Sequence, residues 1–326
     1  MSDLTFHPGF DGEVMGIAQR LAFAGEPVYV GALSRIHGVG ICGAKVPEIK
    51  DCVIPEEWEC PLSDELADGD GLAQRVGMIL GVAEPDSRRV GTLVWYKDGI
   101  PLPPPFIVFG DERHLAGDWG ERAVPSAMAI PVSSPAGKAY RLGHGRLAPL
   151  LGAARWTGPL LIWHRLNSDG PVFDGFSTRL GGPAVHACLA LLSVELPLFL
   201  RSIYGSTSVT PPFFREDAVA ATVRVTVPPW PRILDDGEVT SEVEMPAADW
   251  IWPLDLRRDK DGILWTACRS LVVADVVAVN ADPRRAASAA LSRAKAIRVD
   301  NAQVRSDSLR FAPHFVKKLD KRGYLK

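Results

Sequence analysis

Long apolar runs are missing from this sequence. The most apolar stretch, Val185–Leu200, is too short to span a bilayer and carries Glu195 and Pro197, so it reads as a core helix and no membrane partner is expected. Cysteine is scarce. Cys42, Cys52, Cys60, Cys188 and Cys268 are odd in number and irregularly spaced, which excludes a disulfide framework and a zinc pattern and predicts free thiols in a reducing cytoplasm. No charged-then-apolar leader opens the chain, in keeping with a cytoplasmic location. Charge of one sign is not in excess: the net charge of −3 and pI near 6.2 give no electrostatic footprint for nucleic acid. The local exception is a basic tail with Lys317, Lys318, Lys321, Arg322 and Lys326. The seven histidines are scattered and form no metal-ligand cluster, so each reads as structural; His144, in Leu-Gly-His-Gly-Arg, reads as an exposed turn residue.

What is present is the composition of a globular protein, 47% apolar and 23% charged, in a chain of 326 residues that can bury a sizeable core and form two or three lobes. Val14, Ile17, Ala18, Leu21 and Ala22 predict a helix over 11–24, followed by Gly25 and a short strand at Pro27–Val30. Phe6-His7-Pro8-Gly9 lacks the glycine fingerprint of a dinucleotide site. Gly38-Val39-Gly40-Ile41-Cys42-Gly43 lacks the Lys-Ser/Thr ending of a P-loop and reads as a tight turn. Residues 51–70 read as an acidic connector and 71–81 as a small helix.

Arg89–Tyr96 predicts a strand, Lys97-Asp98-Gly99 a hairpin turn and Phe106–Phe109 a second strand, which Pro103-Pro104-Pro105 would confine to a sheet edge or a strand start. Gly110–Gly120 reads equally as a solvated loop or a site loop. Leu147–Ala154 predicts a short helix with Pro149 in its first turn. Pro159–Leu166 and Val172–Thr178 predict strands joined by an Asn167-Ser168-Asp169-Gly170 turn, with Arg179 at a strand end beside Gly181 and Gly182, where backbone can approach a ligand closely. A long apolar helix from Val185 follows. Beyond Gly205 the chain turns β-rich: Val219–Val227 predicts a strand, Ile263–Cys268 and Leu271–Val279 a pair, and helices are expected over Arg284–Ile297 and near Phe315–Leu319.

Four stretches, taken in order, carry a resemblance. Trp95-Tyr96-Lys97-Asp98-Gly99 runs through a proline-rich step to Gly110-Asp111-Glu112-Arg113 and Gly117-Asp118-Trp119-Gly120. Gly158-Pro159-Leu160 precedes the Ser168-Asp169-Gly170 turn, and Phe176-Ser177-Thr178-Arg179-Leu180-Gly181-Gly182-Pro183 follows. Val223–Pro231 ends in Pro-Pro-Trp-Pro, and Arg305-Ser306-Asp307 lies near the C-terminus. Over Trp95–Leu325 this order resembles glycinamide ribonucleotide synthetase (phosphoribosylamine–glycine ligase), of the ATP-grasp superfamily. The first stretch is similar to the family's fed-back strand and its Gly-Asp-x-Gly loop. The second is similar to the strand and hairpin before the metal-binding strand, and the third to Glu-Phe-Asn-x-Arg-Phe-Gly-Asp-Pro-Glu. The last resembles the C-terminal domain with its Pro-Pro-Tyr-Pro and Tyr-Arg-x-Asp. The resemblance implies an α/β (α+β) fold of ATP-grasp type with a truncated ATP-binding lobe: a reduced N-terminal α/β segment over 1–70, a truncated ATP-grasp-like domain over 71–210 and a β-rich C-terminal domain with terminal helices over 211–326.

The departures carry as much as the matches. In the family the Glu and Asn of the metal-binding strand hold Mg²⁺ against ATP, and a hard cation of that kind needs oxygen ligands. Here those positions fall on Gly175 and Ser177, and the later Asp and Glu fall on Gly182 and Ala184. Asp174, one residue early, belongs to the opposite face of a period-two strand. Only residues 51–90 separate the N-terminal segment from the fed-back strand, and no lysine falls among them, Lys50 lying just outside. Without a phosphate-binding lysine and metal ligands, phosphoryl transfer loses most of its electrostatic stabilisation, so ordinary ATP-dependent ligation is not expected.

Two function classes follow, with a third between them. A divergent ligase would join a carboxylate to an amine using ATP and Mg²⁺, with its site among Asp111, Arg113, Asp118, Ser177 and Arg179; the two arginines could hold a carboxylate or phosphate bidentately. A scaffold without ATP chemistry would serve as a ligand-binding, structural or partner-binding protein. A transferase using an already activated substrate would keep an Arg-lined anionic pocket and need no metal. The expected partner is a small anionic ligand or an amino acid, and a homo-oligomer is compatible with the sequence.

Overall fold

The computed structural model describes residues 29–33, 38–42, 88–132, 137–153, 155–166, 171–177, 182–204, 212–232, 241–266 and 271–325; for 29–33, 38–42, 139, 142, 146, 150 and 172–177 it describes the backbone alone. The helices expected over 11–24 and 71–81, the connector 51–70, the turn 167–170 and Arg179 lie outside the described residues.

In chain order, β1 (Tyr29–Leu33) pairs antiparallel with β2 (Gly38–Cys42), Gly31 opposite Gly40. The glycine-spaced segment expected as a turn is therefore a strand: its glycines recur at period two and the pairing sets them on one face. β3 (Arg89–Lys97) and β4 (Ile100–Phe109) form a hairpin whose two loop residues, Asp98 and Gly99, have φ of 51° and 79°, the primed turn that an Asp-Gly pair favours. A small hairpin of β5 (Arg113–Leu115) and β6 (Trp119–Arg122) precedes β7 (Ser126–Pro131). Two short helices, α1 (Lys138–Leu142) and α2 (His144–Ala153), lead to β8 (Gly158–Leu166) and β9 (Pro171–Ser177). Then come α3 (Gly182–Leu189), α4 (Leu196–Tyr204), β10 (Val219–Thr226), β11 (Val243–Glu244), β12 (Ile251–Pro253), β13 (Leu256–Arg258), β14 (Leu264–Thr266) and β15 (Val272–Asn280). The chain closes with α5 (Pro283–Ala294), β16 (Arg298–Val299) and α6 (Ala312–Lys321).

Eight strands build one antiparallel sheet in the order β12-β15-β10-β7-β4-β3-β8-β9. Alternation along the strands gives each face its own core. Val219, Ala221, Val223 and Val225 of β10 pack with Ile107, Met128 and the alanines and phenylalanine of α5 and α6, while Ala220, Phe106, Ala127 and Leu161 meet α3 and α4 on the other face. The strands of the first half join those of the second through a single seam, β7 with β10, where Ser126–Ala129 face Val223–Ala220.

Several expectations are corrected. β4 is interior, so of the two expected places for its prolines the edge is excluded and the strand start holds: β7 pairs only from Phe106 onward, leaving Pro101–Pro105 with one strand neighbour, β3. The long apolar helix is two helices. Between them the backbone of Leu191 and Ser193 turns out to bond Arg215 and Phe213 at 2.8 Å each, and Pro197 starts the second helix where its missing N–H costs nothing. Phe199 and Phe214 fill the corner beneath, edge to face at 5.2 Å. Helix α2 begins at His144, which puts Pro149 in its interior instead of its first turn. β14 pairs with β13, while β15 pairs with β10 and β12, so the two predicted neighbours are not partners. Among the described residues no helix is long and apolar enough to cross a membrane.

His144 is fully buried, not an exposed turn residue. Its Nε2–H donates to the Thr92 carbonyl at 2.8 Å and its Nδ1 accepts from the Tyr96 hydroxyl at 2.9 Å, a tautomer fixed by the carbonyl partner. His164 is equally buried, but neither ring nitrogen has a hydrogen-bond partner among the described residues, and the ring lies against Tyr324 at 6.0 Å. Burial pushes both imidazoles down to about 4. The folded pKa lies below the unfolded one, so the unfolded chain binds more protons between about pH 6.5 and 4 and stability falls as pH drops through that window. His164→Phe, which replaces two unpartnered ring nitrogens by carbon, is expected to stabilise the protein by about 1–3 kcal/mol at pH 7 and to flatten the loss toward pH 4. Urea denaturation of both proteins at pH 7, 5.5 and 4.5 checks this; equal slopes against pH would refute it.

Candidate functional site

The site grows out of the turn that ends β4. At Gly110 the chain passes so close to β7 that a Cβ would lie 2.0 Å from the Ser126 carbonyl oxygen, so only glycine fits. This drives Asp111 inward. Its Oδ2 accepts from the Ser126 hydroxyl at 2.6 Å and the Leu309 N–H at 2.8 Å, and Arg305 Nη2 stands 3.2 Å from its Oδ1. Burial, opposed by the Ser126 hydroxyl and Arg305, holds the Asp111 carboxyl above the usual carboxylate range.

Arg305 is the hub of a larger cluster. With 3% of its side chain exposed, it donates to Asp118 Oδ1 at 2.9 Å, Asp307 Oδ1 at 2.7 Å and the Arg113 carbonyl at 2.7 Å. Asp307 in turn accepts from the Gly117 N–H at 2.8 Å, and Arg113 bonds the Gly120 carbonyl across its own hairpin. Asp118 also meets Arg88 at 3.3 Å. Three of the five sequence-chosen site residues, Asp111, Arg113 and Asp118, are thus brought together, and the partner that gathers them comes from the Arg-Ser-Asp stretch about 190 residues downstream.

Ser177 stands elsewhere. The register sets Ser177 opposite Leu161, Leu161 opposite Leu93 and Leu93 opposite Phe106. It therefore lies three strand spacings from β4 and level with Phe106, which puts it roughly 20 Å from Asp111 at about 4.8 Å per strand and about 3.3 Å per residue.

Beside the Asp111 turn is a cleft of about 310 Å³ lined by Arg89, Glu112, Arg122, Trp163 and Arg165 among others. Trp163 forms one wall. It pairs with Gly91 of β3, where a Cβ would stand 2.6 Å from Leu161, 2.7 Å from Val108 and 2.9 Å from the indole, so the glycine makes room for all three. The Arg89 guanidinium stacks on that indole at 4.4 Å. Arg165, with 8% of its side chain exposed, grips Glu112 with both terminal nitrogens, and Glu112 Oε1 also accepts the Arg89 N–H at 3.0 Å. Burial opposes ionisation of Glu112, but the Arg165 bonds, the Arg89 N–H and the charge of Arg122 outweigh it and hold the carboxyl below the usual carboxylate range. The sequence reading missed Arg89, Arg122, Trp163 and Arg165. The available signal was a charged residue within the apolar run Leu160–Leu166, a position that must be paired.

No protein-family model matches the chain, and no match among curated proteins was found. Solved structures do match. Phosphoribosylamine–glycine ligase from Thermotoga maritima superposes with a TM-score of 0.51 at 15% identity, over 91% of this chain and 78% of that one. The complete multifunctional pyruvate carboxylase from Rhizobium etli gives 0.51 at 15% identity over 80% of this chain, which spans only 25% of that larger protein. The fold is ATP-grasp-like.

The resemblance to phosphoribosylamine–glycine ligase places Mg²⁺ ligands on β9, and the residues present do not fit that ion. Gly175 brings no side chain and Ser177 a neutral hydroxyl. The cross-strand neighbour of Gly175 is Trp163, whose ring already carries the Arg89 guanidinium, so positive charge stands beside the first ligand position. Among the described residues no three His, Cys, Asp or Glu side chains converge to hold a metal.

Removing the hub tests the cluster. Arg305→Ala leaves Asp111 buried without its cation and is expected to cost about 3–5 kcal/mol of stability, whereas exposed Arg232→Ala, which loses only a surface pair with Glu121, is expected to cost under about 1 kcal/mol. Chemical denaturation of the two variants measures both, and comparable losses would contradict the assignment.

Proposed function

We propose that this ATP-grasp-like protein binds a small anionic ligand, a phosphorylated metabolite or an amino acid through its carboxylate, in the cleft between β3, β8 and the Asp111 turn, and does so without Mg²⁺-dependent ATP ligation. One observation carries the reading: three arginines, Arg89, Arg122 and Arg165, line one cleft whose indole wall neighbours the strand position where the resemblance expects a metal-binding Glu and the chain has Gly175. Guanidinium forks match phosphate and carboxylate geometry and remain charged at any physiological pH. Transfer from an already activated substrate suits such a cleft better than phosphoryl transfer from ATP, which depends on a metal clamp.

Isothermal calorimetry with phenylphosphate and with ATP, each with and without Mg²⁺, tests this. Phenylphosphate is expected to give saturable heat, weakened about tenfold by Arg122→Ala at the exposed rim, with no Mg²⁺-dependent component in the ATP titration. Saturable, Mg²⁺-dependent ATP binding would instead establish the ligase reading.

A further inference from the structure

Within that cleft one group is an anion of the protein's own. Glu112 presents its carboxylate to both terminal nitrogens of Arg165 and to the Arg89 N–H, the arrangement that a ligand carboxylate or phosphate would take on the same donors. We propose that Glu112 is a resident anion that closes the cleft, so that every anionic ligand binds by displacing it from Arg165. The inference rests on the anion-binding reading of the cleft.

Three features make Glu112 the movable partner of the pair. Arg165 is set on the interior strand β8 with 8% of its side chain exposed, whereas Glu112 follows the β4 turn with 25% exposed. The displaced carboxylate is not stranded, because Arg122, exposed at the rim, is near enough for its charge to act on Glu112. The Arg89 backbone N–H and the Arg165 guanidinium belong to the paired strands β3 and β8 and not to the turn that carries Glu112, so the donors are held by the sheet independently of that side chain. An intramolecular carboxylate also holds its position without the entropy loss of association, which an incoming ligand bears in full. The apparent affinity of any anion is therefore its intrinsic affinity reduced by the fraction of molecules in which Glu112 has swung out.

That factor is common to all ligands, and the test uses this. Phenylphosphate and benzoate are titrated into wild type, Glu112→Gln and Glu112→Asp by calorimetry. Glu112→Gln, which keeps the shape and removes the charge, is expected to tighten both anions by the same factor, about tenfold. Glu112→Asp, whose shorter side chain draws the carboxylate back from Arg165, is expected to tighten both by a smaller common factor, and it decides the matter if the glutamine variant does not fold. Unchanged or weaker binding, or a gain confined to one of the two anions, overturns the latch while leaving the cleft intact as a binding site. If none of the three proteins binds either anion, the anion-binding reading itself fails.

Discussion

The architecture of the site depends on one buried guanidinium. Arg305 lies on a segment remote in sequence from the β5–β6 hairpin, yet it bonds the hairpin's backbone at Arg113, its Asp118 side chain and the Asp111 turn that launches it. An aliphatic contact could hold the hairpin near the sheet, but it would not fix its rotation. A planar fork with donors in set directions does. Asp111, fully buried, would be costly in that interior without its cation, so the Asp111 turn and the C-terminal segment stabilise one another. The cleft wall is a by-product: Asp111 turns inward, and Glu112 beside it meets Arg165.

A second buried ionic group sits on the opposite side of the sheet's middle. Asp275 takes both Arg224 nitrogens, at 2.8 and 2.9 Å, and His186 Nδ1 at 2.8 Å, with the His186 ring flat against Trp252 at 4.6 Å. This cluster pins α3 to β10 and β15. Together the two clusters mark both sheet faces with directional contacts, where alternating valines and alanines alone would allow the layers to slide.

The strands were legible because alternation and Asp-Gly turn chemistry are local properties. β3, β8, β10, β15 and α5 fall within a few residues of where pattern alone puts them, while β4 begins six residues before the Phe106 expected to open it. What pattern could not supply was partnership. Whether Pro103–Pro105 sits at an edge depends on how far β7 extends, and whether β14 pairs with β15 depends on β13, neither of which has a local signal. The break between α3 and α4 is legible only after the fact, from Pro197 and from a Phe213-Phe214 segment that fills the gap. For the site, the resemblance identified Asp111, Asp118 and the Arg-Ser-Asp stretch as notable, but their joining is a tertiary event. Arg165 and Arg89 were hidden inside strands that looked purely structural, and Ser177 was grouped with the Asp111 turn because closeness in a motif says nothing about strand order.

The single seam between β7 and β10 has a consequence for how the molecule is assembled. Ala129 and Ala220 are neighbours in the sheet but about ninety residues apart along the chain. Each half can pair its own strands, β3 with β4 through a tight hairpin and β10 with β15 across the segment that carries β11 to β14, but the two half-sheets become one body only when the β7–β10 loop closes. Until then each half exposes an unpaired inner strand, β7 in one and β10 in the other, with the backbone groups that recruit foreign strands. During synthesis the first half must wait for the second with that edge open.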